Sequence, residues 1–349
     1  MLTAIKKVLK SNKFICKMYE QLCNKFINKA LFKIKSFIKT VKGKMTRHKY
    51  SFGQLNEDKT FAVLVKPMKT NGFFSYFSNT FFDFLMMCEK ENQIPFVDLS
   101  GCDCKTIIDP DVKENPWEIF WQQPASDIQL SEVYQSKKVI IHNGYRIPYS
   151  KGKGYDLAIT NINKDELRKW GNWIRKYLKP QKNILDRVEQ EKSKLFTGEK
   201  VLGISVRSSF FYGEVFEKKN FNNHPRVNSC EEYIRKINDL LKEWDCDCIF
   251  LACDGREYSD KIANCFGDRC IRMERFLLSY AKKEISKEDW EGHTVRERTE
   301  DYLVETLLLA ECDSLYASMC GQSKFACLYN GGQYRHIQFD EQGFIHNNG

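Results

Sequence analysis

Three residues that suit phosphate and nucleoside chemistry come directly after short apolar runs of the sequence: Arg207, Asp254 and Ser318. A guanidinium binds a phosphate through two parallel hydrogen bonds and stays charged at any working pH. A carboxylate such as that of Asp254 suits a ribose hydroxyl or a base N–H. Residues 318–323 are mostly small and lead into a predicted helix, whose free N–H groups favour an anion. Together these residues predict a diphosphate site.

Each of these features also has a purely structural interpretation. Arg207 could form an ion pair within the fold, and Asp254, which precedes Gly255, could cap the next helix. His224 lies in a proline turn before a helix and could be either a surface residue or a ligand near Arg207. The sequence has no Walker A motif and no Gly-x-Gly-x-x-Gly after its first strand, which excludes the P-loop and the ordinary dinucleotide fingerprint. No Asp-x-Asp pair with metal partners ends a predicted strand, so we expect an arginine-held phosphate and no metal.

The apolar runs belong to a longer alternation of strands and helices. The predicted strands are 61–65, 94–99, 138–142, 200–206, 248–253, 269–273 and 314–317. The predicted helices include those over 164–178, 180–196, 229–244, 256–266, 297–310 and 322–329, and 70–76 is a loop before a further helix that ends near residue 90. Such alternation predicts an α/β protein with doubly wound parallel sheets, whose ligands lie beyond the carboxyl ends of the strands. Two charged helices around Lys179-Pro180 divide the body into Rossmann-like domains over 50–180 and 181–349.

Residues 1–49 form a strongly basic arm before this body. They hold 14 of the 55 lysines and arginines but only one acidic residue, Glu20, of 46. Apolar residues recur there in steps of three and four, which predicts a basic amphipathic helix that binds an anionic membrane surface through residues 1–45. Packing on the body, self-association and a solvated tail are the alternatives. The remaining residues carry a slight acidic excess, which argues against nucleic acid as a partner, and no run is long and apolar enough to span a membrane.

Fourteen cysteines are too few for a disulfide scaffold, and the N-terminus lacks the apolar core of a secretory signal. We therefore expect a reduced, cytoplasmic protein. The pairs Cys102-Asp-Cys104 and Cys246-Asp-Cys248 resemble halves of a zinc site, but their spacing is short and no histidine lies near either. Buried cysteines are the favoured interpretation, with zinc as the alternative.

Short segments in a fixed order resemble a known family. Segments 202–207, 224–225, 249–254 and 305–313 resemble α-1,6- and protein-O-fucosyltransferases. The whole of 60–340 resembles a bacterial group of glycosyltransferases found with polysaccharide genes, through 72–77, 94–98, 115–118 and 132–134. This resemblance implies a GT-B-like fold, with an acceptor domain over 50–180 and a nucleotide-sugar domain over 181–349. It also implies transfer of a sugar from a GDP-fucose-like or other nucleotide-sugar donor to a glycan or lipid-linked acceptor during surface polysaccharide synthesis.

The resemblance also implies roles for individual residues. Arg207 would stabilise the departing nucleoside diphosphate and Asp254 would contact base or ribose, with no metal and no cofactor beyond the nucleotide-sugar co-substrate. The remaining donor-binding residues would be Gly72, Phe73, His224, Ser318, Gly321, Gln322 and Ser323. Asp98, at a predicted strand end, is the candidate base that activates the acceptor hydroxyl.

The sequence departs from the family pattern directly after Arg207. Members of the family have Arg-Arg-Thr-Asp or Arg-Gly-Thr-Asp at this position, whereas in this chain Arg207 is followed by Ser208, Ser209 and Phe210. Two alternatives therefore stand beside the transferase: a non-catalytic binder of sugar nucleotides or glycans, and a different phosphate-ligand enzyme on the same fold. For the transferase, the basic arm predicts a peripheral location at the inner face of the cytoplasmic membrane.

Overall fold

The structure is a computed structural model that describes residues 47–65, 73–100, 102, 104, 107–109, 111–125, 127–142, 154–198, 200–207, 228–277 and 292–340. Strands β1 to β9 are Arg47–Tyr50, Phe61–Leu64, Ile94–Val97, Val139–His142, Val201–Val206, Cys248–Cys253, Cys270–Ile271, Ser314–Ala317 and His336–Phe339. Helices α1 to α11 are Phe73–Tyr76, Phe82–Lys90, Pro116–Phe120, Leu130–Val133, Gly154–Thr160, Lys164–Tyr177, Lys182–Leu195, Cys230–Glu243, Arg256–Phe266, Val295–Glu311 and Gly321–Asn330. A π-helical segment, Phe77–Phe81, joins α1 to α2.

The first sheet has the strand order β1-β4-β2-β3. β2 pairs in parallel with β3 and β4, and all four of its residues are apolar and buried. β1 pairs antiparallel with β4, with Arg47 opposite His142 and Tyr50 opposite Val139. The polar sequence of β1 suits an edge strand because one side of such a strand stays in water.

The second sheet is parallel throughout and has the order β7-β6-β5-β8-β9. The chain builds outward from β5 to β7 and then returns to the other side of β5, so the order reverses between β5 and β8. Gly203 of β5 lets α10 pack closely, because a Cβ atom there would lie 2.8 Å from Leu309 Cδ1. Both sheets confirm the prediction of two doubly wound α/β units.

The two halves share one large hydrophobic core, and each half also has a smaller core of its own. The Phe74 ring of α1 lies 4.8 Å from Phe325 of α11 and 5.0 Å from Tyr302 of α10. The Asp109 carboxylate adds a polar contact, since it accepts a 3.0 Å hydrogen bond from the Val295 backbone N–H at the start of α10. The first half therefore packs against α10 and α11 of the second half.

Local signals placed most elements correctly, but they did not predict the short helices α4 and α5, and three further differences concern residues 73–76, the edge strands and the arm. The Ser229 hydroxyl accepts a hydrogen bond from the Glu232 N–H at 3.2 Å, as the predicted capping box requires. Residues 73–76, predicted as part of a loop, are helical because their aromatic side chains are buried in the shared core. The short edge strands β1 and β9 were not predicted, and β1 takes 47–49 from the predicted arm; residues 1–46 lie outside the described residues.

Candidate functional site

Arg207 and Ser318 lie where the strand order of the second sheet reverses. Arg207 directly follows β5 and Ser318 directly follows β8, and the Ser318 N–H donates to the Ser205 carbonyl at 3.1 Å. In open α/β sheets this crevice beyond the strand ends is where ligands bind. The topology thus places Arg207 and Ser318 at the crevice where ligands bind in sheets of this type.

Arg207 and Asp254 form an ion pair across neighbouring strand ends. Arg207 Nη1 lies 3.0 Å from Asp254 Oδ2, and the side chains are 26% and 18% exposed. Gly255, not Asp254, is the N-cap residue of α9, so the helix-cap interpretation of Asp254 is wrong. The ion pair brings the two predicted donor-binding groups together at a partly open surface.

The turn into α11 has its serine hydroxyls facing inward. Ser323 Oγ donates to the Ser318 carbonyl and accepts from the Cys320 N–H at 3.0 Å. Ser318 Oγ lies 2.7 Å from the hydroxyl of Tyr233, whose pKa is raised by burial. Both serines are fully buried. The hydroxyls therefore shape the turn, and the N–H groups at the start of α11 are the groups suited to an anion.

A buried ionic network lies beneath this surface. The Arg275 guanidinium donates to both carboxylate oxygens of Glu305, at 2.7 and 2.9 Å, and to the Cys253 carbonyl at 2.8 Å. Gln322 Nε2 donates to Glu305 at 3.0 Å, and its Oε1 accepts from Ser205 Oγ at 3.2 Å. The network joins the residues next to Arg207 and Asp254 to the start of α11. Burial raises the pKa of Glu305, and the Arg275 charge opposes that rise.

Sequence reasoning missed Arg275 and Glu305 as a pair. Glu305 lies within the resembling segment 305–313, but its residue type indicates no role there, and Arg275 lies in no recognisable motif. One signal was present, because Glu305 is the acidic residue within an apolar stretch of α10 that is buried throughout from Leu303 to Ala310. A carboxylate is rarely buried without a partner. That rule predicts a cation nearby, but it does not identify it.

A cavity of about 880 Å³ opens beside this network. Its lining residues include Arg256, Arg275, Phe276, His293 and Asp301. The rings of Phe276 and His293 lie 4.9 Å apart at an angle of 30°. The volume falls within the range of about 300–1,000 Å³ that is usual for small-molecule sites. Its lining residues do not include Arg207, Asp254 or Ser318, so the cavity shares only Arg275 with the network beneath the predicted donor site.

Asp98 lies in the first half, at the end of β3, and has its own partners. Its Oδ2 accepts a 2.6 Å hydrogen bond from the Tyr134 hydroxyl, and its Oδ1 accepts from the Ser100 N–H at 2.9 Å. Burial and the bond to Asp98 raise the pKa of Tyr134. Within the described residues, no hydrogen bond or ion pair joins Asp98 to Arg207 or Asp254. Its role as a base stays a prediction.

The remaining predicted donor-binding residues are placed as follows. Phe73 is 4% exposed and packs against Phe120 and Trp121 in the aromatic core. Gly72 and His224 lie outside the described residues. Gly321 begins α11, next to Gln322.

The cysteine pairs of the sequence lie in or beside packed structure. Cys246 and Cys248 are both 5% exposed, and burial raises the pKa of the Cys246 thiol. Cys104 is buried and Cys102 is half-buried. In the part of the chain that the structure describes, no group of three or more histidine, cysteine and acidic residues could hold a metal ion. The same part contains no helix with the length and hydropathy needed to cross a membrane.

Comparison with solved structures finds similarity to fucosyltransferases. A crystal of NodZ alpha-1,6-fucosyltransferase soaked with GDP-fucose matches with a TM-score of 0.47 and 13% identity, over 82% of this chain and 98% of that chain. NodZ from Bradyrhizobium matches with a TM-score of 0.43 and 11% identity, over 77% and 92%. POFUT1 in complex with GDP matches with a TM-score of 0.46 and 11% identity, over 81% and 99%. No protein-family model and no curated protein matches the chain.

Proposed function

We propose that this chain is a glycosyltransferase that moves a sugar from a nucleoside diphosphate donor to a glycan or lipid-linked acceptor in surface polysaccharide synthesis. The observation that carries the proposal is the position of Arg207 at the end of β5, where the strand order of the second sheet reverses and the neighbouring strand β8 leads into α11. The donor is GDP-fucose or another nucleotide sugar. The reaction needs no metal, since fixed positive charge and helix N–H groups receive the diphosphate.

The mechanism follows from the charge that develops during sugar transfer. The bond between the sugar carbon and the phosphate oxygen breaks through an oxocarbenium-like state, and negative charge builds up on the departing diphosphate. Arg207 and the start of α11 stabilise this charge in a preorganised setting, which lowers the barrier. Asp254 holds one side of the Arg207 guanidinium and faces the nucleoside. Asp98 is the proposed base for the acceptor hydroxyl.

A panel of UDP-, GDP- and CMP-sugars, with the free nucleotides, tests this proposal. We expect one nucleotide class to raise the unfolding temperature of the full chain by several degrees, because a ligand that binds only the folded state stabilises it. The matching sugar nucleotide is expected to be hydrolysed slowly and consumed faster when an acceptor is present. A panel in which no nucleotide changes the unfolding temperature would refute the proposed donor site.

The same panel separates a second candidate, a non-catalytic binder of sugar nucleotides. The sequence after Arg207 favours this candidate, because Ser208, Ser209 and Phe210 stand where the family pattern has an acidic residue. Donor binding without hydrolysis or transfer, over a range of glycan acceptors, would support the binder and exclude the enzyme.

We further propose that the chain is cytoplasmic and binds the inner face of the membrane through residues 1–45. Each lysine near an anionic surface contributes about 1 kcal/mol. Reversing two of them, as in Lys29→Glu/Lys33→Glu, is therefore expected to weaken co-sedimentation of the full chain with anionic vesicles by about tenfold or more. The matched control reverses two body lysines, Lys169 and Lys182, whose side chains are 72% and 84% exposed. Equal losses in both variants would refute a specific role for the basic arm.

A further inference from the structure

Two exposed aromatic side chains and a half-buried one form a row along the edge of the first sheet. Tyr50 and Phe52 are each 45% exposed, and their ring centroids lie 5.2 Å apart at an angle of 15°. The Phe52 ring meets Tyr134 edge-on at 5.4 Å. These three residues are called the aromatic row. Exposed large apolar side chains are few among the described residues. Leu55, also 45% exposed, lies close in sequence to Tyr50 and Phe52, so three of these side chains occur in one short segment. A concentration of exposed apolar side chains is typical of interaction sites.

The backbone beneath the row is fixed. The Phe52 N–H donates to the Ser136 carbonyl, and the Leu55 N–H donates to the Gln135 carbonyl, each at 3.1 Å. A Cβ atom on Gly53 would lie 2.3 Å from that same Gln135 oxygen, so glycine permits the close approach. Exposed rings on a fixed backbone lose little conformational freedom when a ligand binds. The row is thus preorganised for contact with a partner.

The inner end of the row reaches the carboxyl edge of the sheet. The Tyr134 hydroxyl donates to Asp98 at 2.6 Å, and Asp98 follows β3, where ligands lie in sheets of this type. A ligand that lay along the row would therefore place one end beside Asp98. This continuity distinguishes the row from an isolated apolar patch.

The charges around the row are mixed. Lys137 pairs with Glu57 at 2.9 Å, Lys49 is exposed, and Asp98 is acidic. An anionic membrane or a nucleic acid binds best to a uniformly positive surface. A neutral ligand with flat apolar faces and hydroxyl edges fits better, because its faces stack on Tyr50 and Phe52 while its hydroxyls meet polar groups at the rim. A pyranose ring has this combination of C–H faces and hydroxyls.

We propose that the aromatic row binds a neutral oligosaccharide, with pyranose rings stacked on Tyr50 and Phe52 and the chain directed toward Asp98. In the context of the proposed transferase, on which this reading of the ligand as acceptor rests, the row holds the acceptor glycan. The binding itself requires no donor, so it is measured separately from the donor site.

Titrations of the full chain with cellotetraose, chitotetraose and maltotetraose test this assignment. Saturation-transfer NMR measures the binding of each tetraose. We expect at least one tetraose to bind, and Tyr50→Ala/Phe52→Ala to weaken its binding by about tenfold or more, because both exposed stacking surfaces are lost. The ring-preserving Tyr50→Phe/Phe52→Tyr variant should retain binding. Leu185→Ala, which removes an apolar side chain of matching exposure (43%), should also retain it.

Three results would overturn the assignment. One is that none of the tetraoses binds the wild-type chain. Another is that Leu185→Ala weakens binding as much as the row variant does. The third is that the row variant keeps its tetraose affinity but changes vesicle binding or oligomeric mass. Arg207→Ala should leave tetraose binding unchanged, because Arg207 lies outside the aromatic row. If no nucleotide or sugar nucleotide binds the chain but a tetraose still does, the proposed function is wrong and the oligosaccharide site stands.

Discussion

Replacing Arg207 with lysine is expected to lower kcat for the accepted donor by about a hundredfold or more, while the chain stays folded. Lysine keeps the charge but loses the planar fork that holds two phosphate oxygens at once. Since the diphosphate charge is greatest at the transition state, the loss falls on kcat and kcat/KM together. Steady-state kinetics with the donor identified by the nucleotide panel measures it.

A matched control comes from the first half of the chain. Arg47 pairs with Glu91 at 2.8 Å, with side chains 25% and 29% exposed, which is close to the geometry of the Arg207–Asp254 pair. Arg47→Lys should leave kcat within about twofold, because it alters an ion pair of similar exposure that makes no hydrogen bond or ion pair with Arg207 or Asp254 within the described residues. If Arg207→Lys behaves like Arg47→Lys, Arg207 is a structural ion-pair partner and the proposed mechanism is wrong.

The sequence predicted the second sheet well because its central strands carry unambiguous signals. β5, β6 and β8 are apolar runs buried along their whole length, and the polar residue that ends each run marks the carboxyl edge. Edge strands bury only one side, so Arg47-His-Lys-Tyr and His336-Ile-Gln-Phe give no comparable pattern. Because β5 and β8 are neighbours in the sheet, Arg207 and Ser318, which follow them, lie at the same edge.

The sequence did not predict the buried hydrogen-bonded residues beneath the carboxyl edge of the second sheet. Arg275 and Glu305 are 30 positions apart and meet only because α10 packs under β5 and β6. The inward hydrogen bonds of Ser318 and Ser323 are equally invisible, since a serine in a turn suits a ligand and a backbone carbonyl alike. Partner identity depends on tertiary packing, and residue type alone does not encode it.

Replacing Glu305 with glutamine is expected to lower the free energy of unfolding by about 3–5 kcal/mol. The Glu305 side chain is 3% exposed, so the variant leaves the Arg275 charge buried and without its counter-charge. Natural domains are stable by only about 5–15 kcal/mol, and the loss is therefore a large fraction of the total. Equilibrium unfolding in urea measures it, with an unchanged m value as evidence that the same cooperative transition is compared.

Two further variants separate buried charge from general damage. Arg275→Met/Glu305→Leu removes both charges, and we expect it to recover much of the stability lost by Glu305→Gln, because no isolated charge then remains buried. Lys182→Ala/Asp186→Ala removes an exposed pair, 84% and 61% open to solvent, and should cost no more than about 1 kcal/mol. A double variant less stable than Glu305→Gln would show that the hydrogen bonds to Cys253 and Gln322, rather than charge balance, make the network important. In that case donor affinity should fall with stability, since those two bonds connect the network to the strand end before Asp254 and to the start of α11.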